Sequence, residues 1–270
     1  MQSKLRYLLA VLAMFGALAP AANAQSSEER WQSAATLYLW FPGISGRTQF
    51  PSGAGGPTLN VNAKDVLSKL DMAFMGTIES RRGRWGGLGD WVFSDLSGEQ
   101  GRTREFEVGG LPPGAGVTAD LGLRVKTNVL TLAGTYALVE SPTYSSSLLA
   151  GVRMLKSDQA LRWTLSTSGP VAGLARSGAI DVGMTNWDAV VGVRGRARLP
   201  SDPRWFLPYH FDIGTGASRQ TWQAVLGVGY TFDFGDIGLV WRYLDYTFKP
   251  SEPLQTLTFN GLALGATFRF

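Results

Sequence analysis

The most constraining feature of this chain is a two-residue period of hydrophobicity that returns again and again over segments of about ten residues. In the final stretch, LTFNGLALGATFRF, Thr258, Asn260, Leu262, Leu264, Ala266, Phe268 and Phe270 share one face of an extended strand. Phe259, Gly261, Ala263, Gly265, Thr267 and Arg269 share the other. Comparable segments run from Ser33 to Phe41, Met72 to Arg82, Arg84 to Leu96, Val117 to Leu138, Ser145 to Trp163, Thr185 to Leu199, Arg204 to Thr215, Thr221 to Asp233, Asp236 to Phe248 and Leu257 to Phe270. Each is long enough for a tilted strand to cross a bilayer.

The connections alternate in length. RRGR, VESPTY, LPSDPR and DFGD are tight, whereas Pro42 to Asp71, Ser97 to Gly116, Thr164 to Met184, Gly216 to Gln220 and Lys249 to Thr256 read as longer. Tight periplasmic turns and longer outer loops are the rule for membrane barrels, and an even strand number puts both termini in the periplasm. The expected fold is therefore all-β, a transmembrane antiparallel up-and-down β-barrel of about ten strands. GISGRTQF and PTLNVN in the first loop are candidates for an additional hairpin, so eight or twelve strands stay open as alternatives.

The beginning of the chain agrees with export. Lys4 and Arg6 precede the apolar run from Tyr7 to Ala19, and Ala22-Asn23-Ala24 supplies a small-x-small cleavage site, so residues 1–24 read as a cleaved signal peptide and residues 25–270 as one barrel domain. Removing Lys4 and Arg6 leaves 23 of the 25 basic residues against 21 acidic ones, too even a balance to suggest a nucleic-acid partner. The absence of cysteine excludes a disulfide framework and thiolate chemistry. Aromatic residues add a further sign: Trp85, Trp205, Tyr230, Phe232, Phe268 and Phe270 fall near the tight turns, and Phe41, Trp91, Phe93, Trp163, Trp187 and Trp222 toward the long loops, as two interfacial girdles would.

With one strand face assigned to lipid, the other faces the lumen. In NWDAVVGVRGRARL, Asp188, Arg194, Arg196 and Arg198 take the phase opposite to Trp187, Ala189, Val191 and Val193. An arginine against lipid costs about 2–4 kcal/mol near the midplane, so this phase points inward, with Arg198 at the periplasmic rim. The same reasoning sends Glu79, Asp90, Arg153, His210, Asp212 and Arg242 inside, and buried charges of both signs predict an ion-paired network that fills much of a narrow lumen. An open pore selecting anions through Arg153, Arg194, Arg196 and Arg242 is the alternative.

The single histidine suggests a different chemistry. In YHFD, His210 and Asp212 share a face, and an Asp–His pair with Glu79 or Asp90 nearby is a possible hydrolase site. His210 lies mid-strand, however, and the chain has no nucleophile elbow, metal-binding histidine cluster or phosphate loop, so neither a catalytic set, a metal nor a cofactor is expected. Pro208 cannot donate a ladder hydrogen bond and predicts a bulge or irregularity. In the first loop, AKDVLSKLDMAF places Val66, Leu67 and Leu70 at helical spacing, as for a short amphipathic helix at the barrel mouth.

Several stretches resemble a family of small outer-membrane barrel proteins of Gram-negative bacteria, within the OmpA-like and opacity-type group. They are YLWFPGISG (Tyr38 to Gly46), FMGTIESRRGRWG (Phe74 to Gly86), DLSG (Asp95 to Gly98), VVGVRGR (Val190 to Arg196), WQAVLGVGYTF (Trp222 to Phe232), RYLDY (Arg242 to Tyr246) and the terminal GATFRF. The resemblance implies an outer-membrane β-barrel and brings no catalytic residue with it. It also gives the terminal strand a role, because Leu262, Leu264, Phe268 and Phe270 look like the signal by which such proteins are handed to the barrel-assembly machinery. The expected protein is a monomer without enzymatic activity, structural or interaction-based in role. Its expected partners are outer-membrane lipid and lipopolysaccharide; Arg102 and Arg104 in the second long loop are candidates for contact with anionic lipid heads, although a charged loop is more often simply solvated.

Overall fold

A computed structural model describes residues 30–48, 58–68, 70–102, 116–168, 175–250 and 254–270. The signal-peptide segment, Arg104 and the side chain of Arg102 lie outside the described residues. Eleven strands follow in chain order: β1 Gln32–Thr48, β2 Thr58–Val61, β3 Leu70–Arg82, β4 Trp85–Arg102, β5 Gly116–Glu140, β6 Tyr144–Ser168, β7 Ala175–Arg198, β8 Trp205–Gly216, β9 Gln220–Phe232, β10 Gly235–Thr247 and β11 Leu254–Arg269. Among the described residues one helix, α1, covers Ala63–Ser68.

Ten of these strands form the wall. Each pairs antiparallel with its neighbours, and β11 closes the ring on β1 from Ala34↔Arg269 to Thr48↔Leu254. The eleventh, β2, is the additional hairpin of the first loop: it pairs with Ile44 to Arg47 of β1 and is no stave of the barrel. Both ends of the described chain meet at the tight-turn rim, where Ser33 and Phe270 exchange backbone hydrogen bonds of 2.9–3.0 Å. The wall is uneven in height. Strands β5, β6 and β7 have 24–25 residues, whereas β8, β9 and β10 have 12–13, so one side stands well beyond the other at the outer end.

Two connections differ from the sequence reading. Much of the stretch from Thr164 to Met184 is strand, because β6 runs on to Ser168 and β7 begins at Ala175. The connection between β8 and β9 is only the bend Ala217 to Arg219, too short to be a loop. At Pro208 the register does not shift. The β8–β9 pairing lapses at Leu207 and Pro208 and resumes at Tyr209 in the same register, so a missing donor interrupts the ladder without inserting a residue.

The outer surface shows where lipid must lie. Ile237, Leu239, Leu262, Leu264, Leu226, Val191 and Ile213 are exposed on it, which only an apolar solvent rewards. Below this belt sit Trp85, Trp205, Phe232, Phe234 and Phe270, and above it Phe74, Trp91, Trp187 and Trp241. Ten residues separate Trp222 from Phe232, which at a normal strand rise and tilt spans about 25 Å, the height of an outer-membrane apolar band.

The upper limit is marked twice by the same device. Trp91 Nε1 donates to Asn128 Oδ1 at 2.7 Å, and Trp241 Nε1 donates to Asn260 Oδ1 at 2.6 Å, so the polar edge of each ring is satisfied. Beyond these pairs the outward phase turns polar, with Arg124, Lys126, Lys156 and Asp158. Arg124 grips Asp95 by two hydrogen bonds of 3.0 and 2.7 Å, which hold that carboxyl below the usual carboxylate range.

The inward phase inverts at the same level. Trp40, Ile44, Met75, Val92, Val129, Leu155, Leu244, Tyr246, Phe248 and Phe259 are buried there and form one apolar core. The upper lumen is thus packed like a soluble protein, not charged throughout as the sequence reading expected. Helix α1 contributes Val66 to this core, so it packs into the barrel mouth through its apolar side. Each large side chain so buried contributes about 1.5–3 kcal/mol.

Candidate functional site

Directly beneath the apolar core, the lumen is crossed by one connected polar layer. It begins on β10, where Arg242 sits almost fully buried with all three guanidinium nitrogens engaged. Its Nη2 donates to Asp90 Oδ2 on β4 at 2.7 Å, its Nη1 to the Tyr38 hydroxyl on β1 at 2.7 Å, and its Nε to Gln223 Oε1 on β9 at 2.9 Å. Asp90 Oδ1 also accepts from Tyr38 at 2.6 Å and from Thr77 of β3 at 2.8 Å. The guanidinium lies 4.8 Å from the ring centroid of Trp40, which joins the layer to the apolar core above.

Gln223 carries the network across the barrel. Its carbonyl oxygen is taken by Arg242, and its amide donates to Asp212 Oδ2 on β8 at 3.2 Å. The same oxygen accepts from Arg153 Nη2 of β6 and from His210 Nε2, both at 2.6 Å. With Nε2 protonated, His210 donates to Asp212, and the Gln223 amide 3.1 Å away spends its hydrogen on that carboxylate. Arg153 Nε reaches Thr131 of β5 at 3.1 Å. Among the described residues Arg153 Nη1 and Asp212 Oδ1 are left without partners, the two complementary groups that a one-armed ion pair leaves over.

Eight of the ten barrel strands thus contribute to this layer. Close approach of the wall assists it: a Cβ on Gly192 of β7 would lie 2.2 Å from the Phe211 carbonyl oxygen and 2.7 Å from Asp212 Cα. Only glycine leaves room for β8 to bring Asp212 so near.

Below the layer lies a vestibule of about 970 Å³ whose lining runs from Tyr38, Asp90 and Arg242 down to Gln32, Arg198 and Arg269 at the tight-turn rim. It therefore opens toward the periplasm. On its wall Arg194 Nη2 donates to Glu79 Oε1 at 2.6 Å, and lower down Arg196 Nη1 lies 3.3 Å from Asp236 Oδ2, which Arg269 also contacts.

The inward-pointing residues of the sequence reading are therefore distributed over three levels. Asp90, Arg153, His210, Asp212 and Arg242 form the layer, whereas Glu79, Arg194 and Arg196 belong to the vestibule. Asp188 joins neither group. It is buried midway along β7, level with the outer end of β8, where Oδ1 accepts the backbone N–H of Ser218 at 2.8 Å and holds the β8–β9 bend.

Tyr38, Thr77, Thr131 and Gln223 were missed because only charged residues were read along the inward phase. Their strand parity alone places them there. Leu262, Leu264, Phe268 and Phe270 lie on the outward phase of β11, with Leu262, Leu264 and Phe270 well exposed to the lipid side. Among the described residues no cluster of histidine and carboxylates has a metal-binding arrangement.

No family model matches the chain, and neither does any curated protein sequence. Solved structures do. The outer membrane protease OmpT from Escherichia coli superposes with a TM-score of 0.53 at 10% identity, over 92% of this chain and 99% of that one. The translocator domain of the autotransporter NalP from Neisseria meningitidis gives 0.38 at 11% identity, over 100% and 96% of the two chains. The attachment invasion locus protein Ail of Yersinia pestis gives 0.33 at 12%, over 90% and 99%. The likeness to OmpT is one of fold. Together with an apolar belt between two aromatic girdles, it makes this chain an integral outer-membrane β-barrel of the Gram-negative kind.

Proposed function

We propose that this barrel is non-conducting and non-enzymatic, and that its role is structural or interaction-based, on the lipopolysaccharide-facing side of the outer membrane. The observation that carries the reading is the double closure of the lumen: the layer through Arg242, Gln223 and Asp212, and above it the core of Trp40, Leu155, Leu244, Tyr246 and Phe259. A hydrated solute passing upward would have to break a buried, ion-paired network and then open a dry, packed core, each costing several kcal/mol. The tall wall of β5, β6 and β7 is then the natural contact surface for an outside partner.

Two observations support rival readings. The arginine-lined vestibule suits a small anion-preferring or polar-solute channel, and the His210–Asp212 contact at 2.6 Å suits a hydrolase. Against the second, Asp212 is inaccessible and already pairs with Arg153, and His210 faces the periplasmic vestibule instead of the outer rim. Single-channel recording on the refolded protein in a planar bilayer separates the readings. Inserted protein that stays electrically silent supports closure, while stable conductance whose anion preference falls in an Arg194→Ala, Arg196→Ala variant would replace it with a pore. A peptidase or esterase activity lost in His210→Ala without loss of fold would establish the enzyme.

A further inference from the structure

Six guanidiniums and four carboxylates line the vestibule among the described residues, and their pairing is uneven. Arg242 is matched by Asp90 in the ceiling, Arg194 by Glu79 on the wall and Arg81 by Glu140 at the rim. What remains is Arg196, Arg198 and Arg269 against the single carboxylate of Asp236. Arg196 and Arg269 share the same Asp236 oxygen. Arg198 donates only to the Pro203 carbonyl oxygen, at 3.0 Å, and has no ion pair among the described residues.

These cations are held, not merely scattered. Arg194, Arg196 and Arg198 occupy successive inward positions of β7, spaced about 7 Å apart along the strand. The Arg196 guanidinium lies 5.7 Å from the ring centroid of Phe206, and that ring fills the space where a Cβ on Gly229 would stand, 2.3 Å from its nearest atom. Like charges gathered in a concave, partly desolvated cup repel one another, and the arrangement favours any anion that enters.

We infer that the vestibule is a periplasmic binding site for a small multivalent anion of the phosphate class, with Arg196, Arg198 and Arg269 as its ligands. Guanidinium forks match phosphoryl oxygens in pairs. The spacing along β7 suits two linked phosphoryl groups, and a volume of about 970 Å³ leaves room for a larger body that carries them. The inference goes beyond the surface role proposed above and rests on the closed lumen only for its sidedness.

Calorimetric titration of the refolded full chain in detergent with pyrophosphate, at about 0.15 M salt, tests it. One site per chain is expected, weakened about tenfold or more in Arg196→Gln, Arg198→Gln, because two charge-assisted contacts are lost. Asp236→Asn removes the competing carboxylate and is expected to tighten binding. Absence of binding by the unaltered protein, or binding that neither variant changes, overturns the site. Should the double variant fail the heat-dependent gel shift of a folded barrel, Asp236→Asn alone decides: tighter binding supports the site, and unchanged or weaker binding overturns it. Conductance recorded on the same preparation separates the two proposals. A conducting barrel that binds pyrophosphate keeps the site and loses the closure, and a silent barrel that does not bind loses the site alone.

Discussion

Arg153 and Asp212 meet inside the barrel at 2.6 Å with neither side chain exposed to solvent. A buried pair of this kind adds little net stability over an apolar pair, but breaking it is expensive because one charge is stranded. Arg153→Ala and Asp212→Ala are each expected to destabilise the barrel by about 3–5 kcal/mol. The double variant should lose clearly less than the two losses added together, since neither charge is then left alone. Urea titration of folding into lipid vesicles measures all three. Additive losses would mean that the pair is not the unit on which the layer depends.

Two tyrosines of the inward phase are expected to respond in opposite ways to losing a hydroxyl. Tyr38 donates to Asp90 and accepts from Arg242, whereas the Tyr246 hydroxyl is buried in the apolar core with no partner among the described residues. Tyr38→Phe leaves a buried carboxylate and a buried guanidinium each short of one bond and is expected to cost about 1–3 kcal/mol. Tyr246→Phe removes an unsatisfied group and is expected to be neutral or to stabilise by about 1 kcal/mol. The same urea titration compares them, and a costly Tyr246→Phe would reveal a partner for that hydroxyl.

How much of this was legible in the sequence depends on what a two-residue period can carry. It assigns faces, so the ring of ten strands and the inward direction of Asp90, Arg153, Asp212 and Arg242 could be read from parity. Tyr38 and Gln223 lie on the same phase and were overlooked only because uncharged residues were not followed. Height around the ring is another matter. That Arg153 of β6 meets Asp212 of β8, while Asp188 on the intervening strand rises to the β8–β9 bend, follows from register and shear, which alternation does not encode.

The apolar upper lumen was hidden for a different reason. In β10 the outward residues change from Ile237, Leu239 and Trp241 to Tyr243 and Asp245, while the inward ones change from Asp236 and Arg242 to Leu244 and Tyr246. Reading the whole strand in a single solvent hides that inversion, since the chain leaves lipid for water partway along.

Gly192 offers a test of the close wall approach that brings Asp212 into the layer. Gly192→Ala pushes a methyl group to within 2.2 Å of the Phe211 carbonyl oxygen, so strand β8 must move and with it Asp212. The expected cost is about 1–3 kcal/mol, typical of overpacking. Gly87→Ala is the matched control, because its Cβ would meet nothing closer than 4.0 Å. Equal tolerance of both substitutions in the urea titration would show that β8 is free to give way.

The terminal strand separates assembly from stability. Phe270 stands exposed on the lipid side of the rim, and its backbone, not its ring, closes the barrel through Ser33. Phe270→Ser therefore keeps the closing hydrogen bonds and gives up only a ring at the girdle. If Leu262, Leu264, Phe268 and Phe270 form the signal that the assembly machinery reads, this variant refolds in detergent like the unaltered chain but reaches the outer membrane more slowly in cells. Pulse-chase fractionation beside detergent refolding distinguishes the cases. Normal delivery in cells would remove Phe270 from the signal, and poor refolding in detergent would make its ring a structural anchor of the girdle.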